Sequence, residues 1–155
     1  MSADVLIFRP VFKSVRVDWR GAPRAFPLIQ LYDPRQTVAG WTQFVRSHGR
    51  AGRSGVNAIE DQRGYLHAIF IWRVENHLLW RRTLRIATLV LGGLPGRAVQ
   101  EAAGAALREL AHLLDCETIL VEANEEHHGL HPQFLLMSGF TPVSGAVYMR
   151  KMDPL

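Results

Sequence analysis

The chain of 155 residues is long enough for one compact domain with its own core, spanning 1–155, and too short for two ordinary ones. Apolar residues make up 48% and charged residues 21%, which excludes a disordered chain and gives the composition of a globular one. The formal charge of +4 favours anionic ligands, yet the arginines are scattered and no long Lys/Arg run occurs, so nucleic acid is not expected as a partner.

The first segment, Val5–Phe12, is short, apolar and partly β-branched, and predicts a strand. An acidic residue, Asp4, precedes it and no apolar run nears membrane-spanning length, so neither a secretion signal nor a membrane partner is expected, and a cytoplasmic location follows by default. Residues 13–32 are mixed in character. Asp33-Pro34 reads as a helix N-cap followed by a first-turn proline, and Val38, Trp41, Phe44 and Val45 follow at helical spacing. Residues 47–55, SHGRAGRSG, are small and basic and predict a loop. Val56–Glu60 and Tyr65–Val74 flank the turn residues Asp61 to Gly64, which predicts an antiparallel hairpin. Trp72 alternates within the second of these strands and is expected in the core.

After an interruption at Asn76–Trp80 comes the strand Leu84–Leu91, then the glycine-rich stretch GGLPGRAVQ, then a helix over Val99–Leu114. Ala102, Ala103, Ala106, Leu107, Leu110, Leu113 and Leu114 fall on one face of that helix, and its alanines allow it to lie close to a sheet. The sole cysteine, Cys116, excludes an intrachain disulfide and reads as a buried, inert thiol. Thr118–Ala123 is the next strand, parallel to Leu84–Leu91 because a helix joins them. The polar loop NEEHHGLHP brings Glu125, Glu126, His127, His128 and His131 together in sequence, but Gly129 and Pro132 oppose the helix that would align His127 with His131, so no metal is expected. A short helix at Phe134–Met137 and a hairpin of Phe140–Pro142 with Ala146–Met152, turning at Ser144-Gly145, complete the chain.

A strand that turns through glycines into a helix leaves N–H groups unpaired at the helix start, which suits either a phosphate ligand or a tight connection. The order strand, helix, hairpin, strand, glycine turn, helix, strand, short helix, Gly139-Phe140, hairpin resembles the GNAT superfamily of acyl-CoA-dependent N-acyltransferases over nearly the whole chain. In that family a turn often written Q/R-x-x-G-x-G/A holds the CoA pyrophosphate on backbone amides, and the matching residues here are Pro95-Gly96-Arg97-Ala98-Val99-Gln100.

The resemblance implies an α/β fold with a mixed, mostly antiparallel sheet, a parallel central strand pair and helices on both faces. It implies acetyl-CoA or another acyl-CoA as co-substrate, bound by Val90, Leu91, Gly92, Gly96, Arg97, Ala98, Val99, Gln100 and Asn124. Direct transfer of the acyl group to a primary amine, on a small molecule or a peptide, is the implied reaction; homodimer formation stays open. Glu122, at the end of the fifth strand, is the candidate base. Leu135 stands where the family often has a tyrosine that protonates the leaving thiolate, so Tyr148 of the last hairpin is the alternative donor. A non-catalytic GNAT-like domain, acting as an interaction or sensing module, is the second reading.

Overall fold

The computed structural model describes residues 11–50, 52–92, 97–123 and 131–153. Among them one sheet of seven strands runs in the order β1-β2-β3-β4-β5-β7-β6. The strands are β1 (Lys13–Arg16), β2 (Ser54–Glu60), β3 (Leu66–His77), β4 (Arg81–Leu91), β5 (Thr118–Glu122), β6 (Thr141–Ser144) and β7 (Val147–Lys151). The helices are α1 (Ala22–Tyr32), α2 (Val38–His48), α3 (Arg97–Leu113) and α4 (Pro132–Met137). Only β4 and β5 run parallel among the described strands, as the intervening helix dictates.

The sheet separates two cores. On one face α3 and α4 bring Ala103, Leu107, Ala111 and Leu135 against Phe70, Trp72, Leu84, Ile86 and Ile119. On the other, α1 and α2 bring Ala22, Ala25, Leu28, Trp41 and Val45 against Val56, Ala58, Ile69, Ile71 and Val90. Alternate residues of β3 therefore belong to different cores, which is why that strand reads as a continuous apolar run. Burial runs along α3 at Val99, Ala103, Ala106, Leu107, Leu110 and Ala111, the three-and-four spacing of one helical face. Leu113 falls off that face and is exposed, against the sequence expectation, while Leu114 packs at the core's margin.

The mixed stretch 13–32 holds two elements that its pattern concealed. Lys13–Arg16 pairs with β2 as the edge strand, whereas of the strand expected at Val5–Phe12 the part before Val11 lies outside the described residues, and Val11 and Phe12 precede β1. The α1 sequence, APRAFPLIQLY, carries Pro27 in its interior, which removes a backbone donor and normally argues against a helix. Burial of Ala22, Ala25, Leu28 and Ile29 on one face outweighs that loss. Asp33 closes α1 instead of opening α2, its N–H donating to the Ile29 carbonyl (2.9 Å). The α2 cap is Thr37, whose Oγ1 accepts from the Gly40 N–H (3.1 Å). The helix then carries on into the expected loop as far as His48, and β2 begins at Ser54.

The hairpin around Asp61–Gly64 forms as expected, and a second hairpin follows, since β3 extends to His77 and β4 starts at Arg81, shrinking the interruption to Leu78–Trp80. Close approach fixes one residue of β2. A Cβ on Gly55 would lie 2.7 Å from the Trp72 ring and 2.7 Å from the Arg16 guanidinium carbon. Arg16 has a flexible end that can move, but Trp72 is 1% exposed and held by its indole N–H donating to Asn57 Oδ1 (2.8 Å). Gly55→Ala is therefore expected to lower unfolding stability by about 1–3 kcal/mol, the usual cost of overpacking, as a fall in the urea midpoint at unchanged slope.

Candidate functional site

The site is built on one irregularity of β4. Leu84 and Ile86 face the α3 core, and the next side chain of β4 buried in that core is Leu89, three residues on instead of two. Opposite them, the adjacent residues Ile71 and Trp72 of β3 face Thr88 and Ile86, so Ala87 is an extra residue, a β-bulge. Pairing of β4 with β5 runs from Thr83–Thr118 to Ile86–Val121 and stops there, whereas pairing with β3 continues to Leu91. The two parallel strands part at the bulge and leave a crevice.

Backbone polarity in the crevice follows from the ladder. The Gly92 N–H donates to the His67 carbonyl (2.6 Å), and opposed residues of an antiparallel pair alternate between bonded and non-bonded. Val90 and Gly92 thus spend their polar groups on β3, while Leu89 and Leu91 turn theirs toward the crevice. The sequence reading gave open groups to Val90, Leu91 and Gly92; of these Leu91 has them, and Leu89 was missed. The signal for it was present, since TLRIATLVL has polar residues at Arg85 and Thr88, a slip of phase in a period-two pattern.

Arg97, Ala98, Val99 and Gln100, read as half turn and half helix, form the whole first turn of α3. Their N–H groups lie in the helix segment that has no intrahelical acceptors and carries the positive end of the dipole. Arg97 is exposed, its Nε 3.8 Å from Glu101 Oε1, a weak solvated pair that leaves the guanidinium available. Ala98 is exposed and Gln100 half-buried, whereas the Val99 side chain belongs to the core, so its backbone is what it offers a ligand. Gly96, Asn124 and the loop residues Glu125, Glu126, His127 and His128 lie outside the described residues. His131 caps α4, its Nδ1 accepting from the Gln133 N–H (3.1 Å), and no group of three metal-ligand side chains occurs among the described residues.

Glu122 and Tyr148 lie on opposite faces of the sheet. Val121 and Tyr148 are directly paired and both contribute to the α3 core, so Glu122, one residue on, points to the α1/α2 face, the face that Thr88 also lines. Glu122 is exposed and makes no ion pair or hydrogen bond with another described side chain. Tyr148 is half-buried, on the same face as α4, with β5 between it and the crevice. Leu135 is 0% exposed and points into the core, not into the crevice.

Two other features stand apart from this site. Cys116 is buried, and burial pushes its thiol up, which disfavours the reactive thiolate. A cavity of about 630 Å³ at the far end of the sheet is lined by residues such as Trp80, Arg81, Asp115, Glu117 and Lys151 and touches neither Leu89, Leu91 nor the first turn of α3. Among the described residues no helix is long and apolar enough to cross a membrane.

A mixed seven-stranded sheet with one parallel pair and helices on both faces matches the solved GNAT N-acetyltransferases, and the chain has their fold. An aminoglycoside N-acetyltransferase in complex with CoA superposes with a TM-score of 0.73 at 9% identity, over 95% of this chain and 99% of that one. An acetyltransferase from Trypanosoma brucei gives 0.68 at 13% identity over 93% and 99%. A spermidine N-acetyltransferase from Vibrio cholerae, in complex with CoA and spermine, gives 0.65 at 12% identity over 89% and 92%. No protein-family model and no curated protein matches the sequence.

Burial decides what a tyrosine at the family's usual acid position would do here. Leu135→Tyr must place a larger ring and a hydroxyl in a filled, apolar site. A loss of about 2–4 kcal/mol in urea unfolding is expected, from overpacking and an unpaired polar group together.

Proposed function

We propose that the protein transfers an acyl group, most simply acetyl, from acyl-CoA to a primary amine. The observation that carries this reading is the crevice itself: a strand edge whose polar groups at Leu89 and Leu91 face away from β3, leading to a helix N-terminus, whose first N–H groups have no intrahelical acceptor, at Arg97. A pantetheine arm is an extended chain with amide groups, and it would pair with that edge as an added strand. The pyrophosphate at its end would meet the amides of Arg97 to Gln100 and the Arg97 guanidinium.

In the reaction the amine nitrogen bonds to the thioester carbonyl carbon, an N–H proton leaves, and the carbon–sulfur bond breaks. Glu122 is the base, on the face open to an acceptor; a free backbone N–H of the β4 edge polarises the carbonyl. Tyr148 is the donor to the departing sulfur, on the face where the family's usual acid position is taken by Leu135. A thiol's ordinary pKa of roughly 8.5 makes thiolate a tolerable leaving group, so transfer does not depend wholly on that proton. Gly96 and Asn124 complete the proposed CoA contacts.

Burial of Leu135 and the long side chain of Gln100 in the phosphate turn favour a second reading, a non-catalytic GNAT-like domain that binds CoA weakly or not at all and acts as an interaction or sensing module. Calorimetric titration with acetyl-CoA, followed by a thiol-release assay, separates the two. Acetyl-CoA is expected to bind and to raise the melting temperature by mass action. Arg97→Ala is expected to weaken binding by about 1 kcal/mol, roughly fivefold in Kd, and absence of heat at millimolar ligand would remove acyl transfer and leave the interaction module.

Glu122→Gln keeps the shape of the side chain and loses its proton acceptor. Turnover at neutral pH is expected to fall about 100-fold with acetyl-CoA affinity unchanged. An unchanged rate would assign the proton to solvent or to another group.

A further inference from the structure

The face that Glu122 shares with α1 and α2 also carries information about the acceptor. Between those helices and the sheet lies a cavity of about 220 Å³. Its walls include Ile29, Tyr32, Trp41, Phe44 and Ile71, and its member nearest the crevice is Thr88, the residue after the bulge. Trp41 is fixed by its indole N–H donating to the Ala22 carbonyl (2.8 Å). Phe44 stacks parallel to it at 5.8 Å between centroids, and His48 continues the stack at 5.0 Å. The site is therefore a rigid aromatic wall beside the open end of the split strands.

Charge narrows the occupant further. Among the described residues no carboxylate lines the cavity; its polar groups are the hydroxyls of Tyr32 and Thr88 and the Gln36 amide. Asp33, on the same connection, is already engaged by Arg35 (Nε to Oδ1 3.0 Å, Nη2 to Oδ2 3.3 Å) and by the Gln36 amide (3.2 Å). Those donors hold its carboxyl down at about 2. A polycation would find no carboxylate in the cavity wall to pair with. An apolar body is favoured instead, and a cavity of about 150 Å³ is known to admit benzene, so this one has room for a single ring on a short arm.

We propose that the acceptor is a primary amine carrying one planar apolar or aromatic group, seated against Trp41 and Phe44 with its amine directed past Thr88 toward the Glu122 side of the crevice. This rests on the acyl-transfer reading, and the experiment keeps the two apart. Acetyl-CoA uptake is measured by calorimetry, and thiol release is measured with 2-phenylethylamine, tryptamine, spermidine and kanamycin. In the same preparation, 2-phenylethylamine binding is read without co-substrate by quenching of tryptophan fluorescence.

The expected result is a kcat/KM for the two aryl amines about tenfold or more above spermidine and kanamycin, from burial of one ring. Phe44→Ala, at a position 40% exposed, should raise KM for 2-phenylethylamine about tenfold and leave acetyl-CoA affinity intact. Should that variant fail to fold, Gln36→Glu at an exposed position serves instead, and is expected to shift preference toward diamines. Acetyl-CoA uptake with spermidine or kanamycin preferred overturns the inference and leaves acyl transfer standing. No acetyl-CoA uptake overturns acyl transfer; the aryl-amine site then stands if 2-phenylethylamine quenches and Phe44→Ala abolishes the quenching, and falls if it does not.

Discussion

One inserted residue, Ala87, governs the arrangement of the site. Strand β4 must pair with β3 on one side and β5 on the other, and an extra residue bends it so that both cannot be satisfied to the end. The ladder with β3 survives to Leu91 and the ladder with β5 ends at Ile86. The insertion also inverts which side chains face which core: Leu84 and Ile86 below it and Leu89 above it face α3, while Thr88 and Val90 turn to α1 and α2. Without it, Leu89 would leave its core and Thr88 would enter it, a change that costs on both faces.

The two cores hold the split open from either side. Gly92 approaches His67 so closely that a Cβ there would lie 2.9 Å from the His67 carbonyl oxygen, which fixes the end of β4 to β3 and away from β5. On the far side, β5 is held by β7 through Glu122–Val147, and the Ala123 N–H donates to the Ala146 carbonyl (2.8 Å). Each strand thus has a committed partner on its outer edge, and beyond Ile86 and Val121 the inner edges do not pair with one another among the described residues. Unpaired backbone groups in such a place are costly when they stay dry, so the crevice favours an occupant that can pair with them.

The parts of the fold legible in the sequence were those where a local pattern and the tertiary environment agree. The hairpin at Asp61–Gly64, the α3 stripe and the parallel β4–β5 pair all come from period and turn chemistry. Helix α1 was not legible because Pro27 contradicts it locally and its buried face supplies the stability that propensity does not. Asp33-Pro34 was misread because an Asp before a proline suits a helix end as well as a helix start, and the true N-cap, Thr37, lacks any neighbouring signal except its hydroxyl. In the site, the first turn of α3 was recognised by resemblance, but the bulge was visible only as a phase slip between Arg85 and Thr88. The aromatic wall at Trp41 and Phe44 was read as one amphipathic stripe; that Trp41 is buried and Phe44 exposed depends on how α1 crosses α2, which no period reveals.

Alternation along β5 and β7 gives the two candidate groups their separate sides. On the acyl-transfer reading the reacting carbon lies in the plane of the split, so an amine entering from the α1/α2 face meets Glu122 first, and a sulfur departing toward the α3/α4 face moves to the side of Tyr148. On that reading the two groups, on opposite faces of the sheet, do not meet one another directly. The same division explains why the buried Leu135 is a poor place for an acid here: α4 serves as a wall of the core, and Leu135 closes that wall. A donor on that side must come from a strand whose side chain reaches the margin of the core, and Tyr148, half-buried and directly paired with Val121 at the last rung of the parallel pair, meets that requirement.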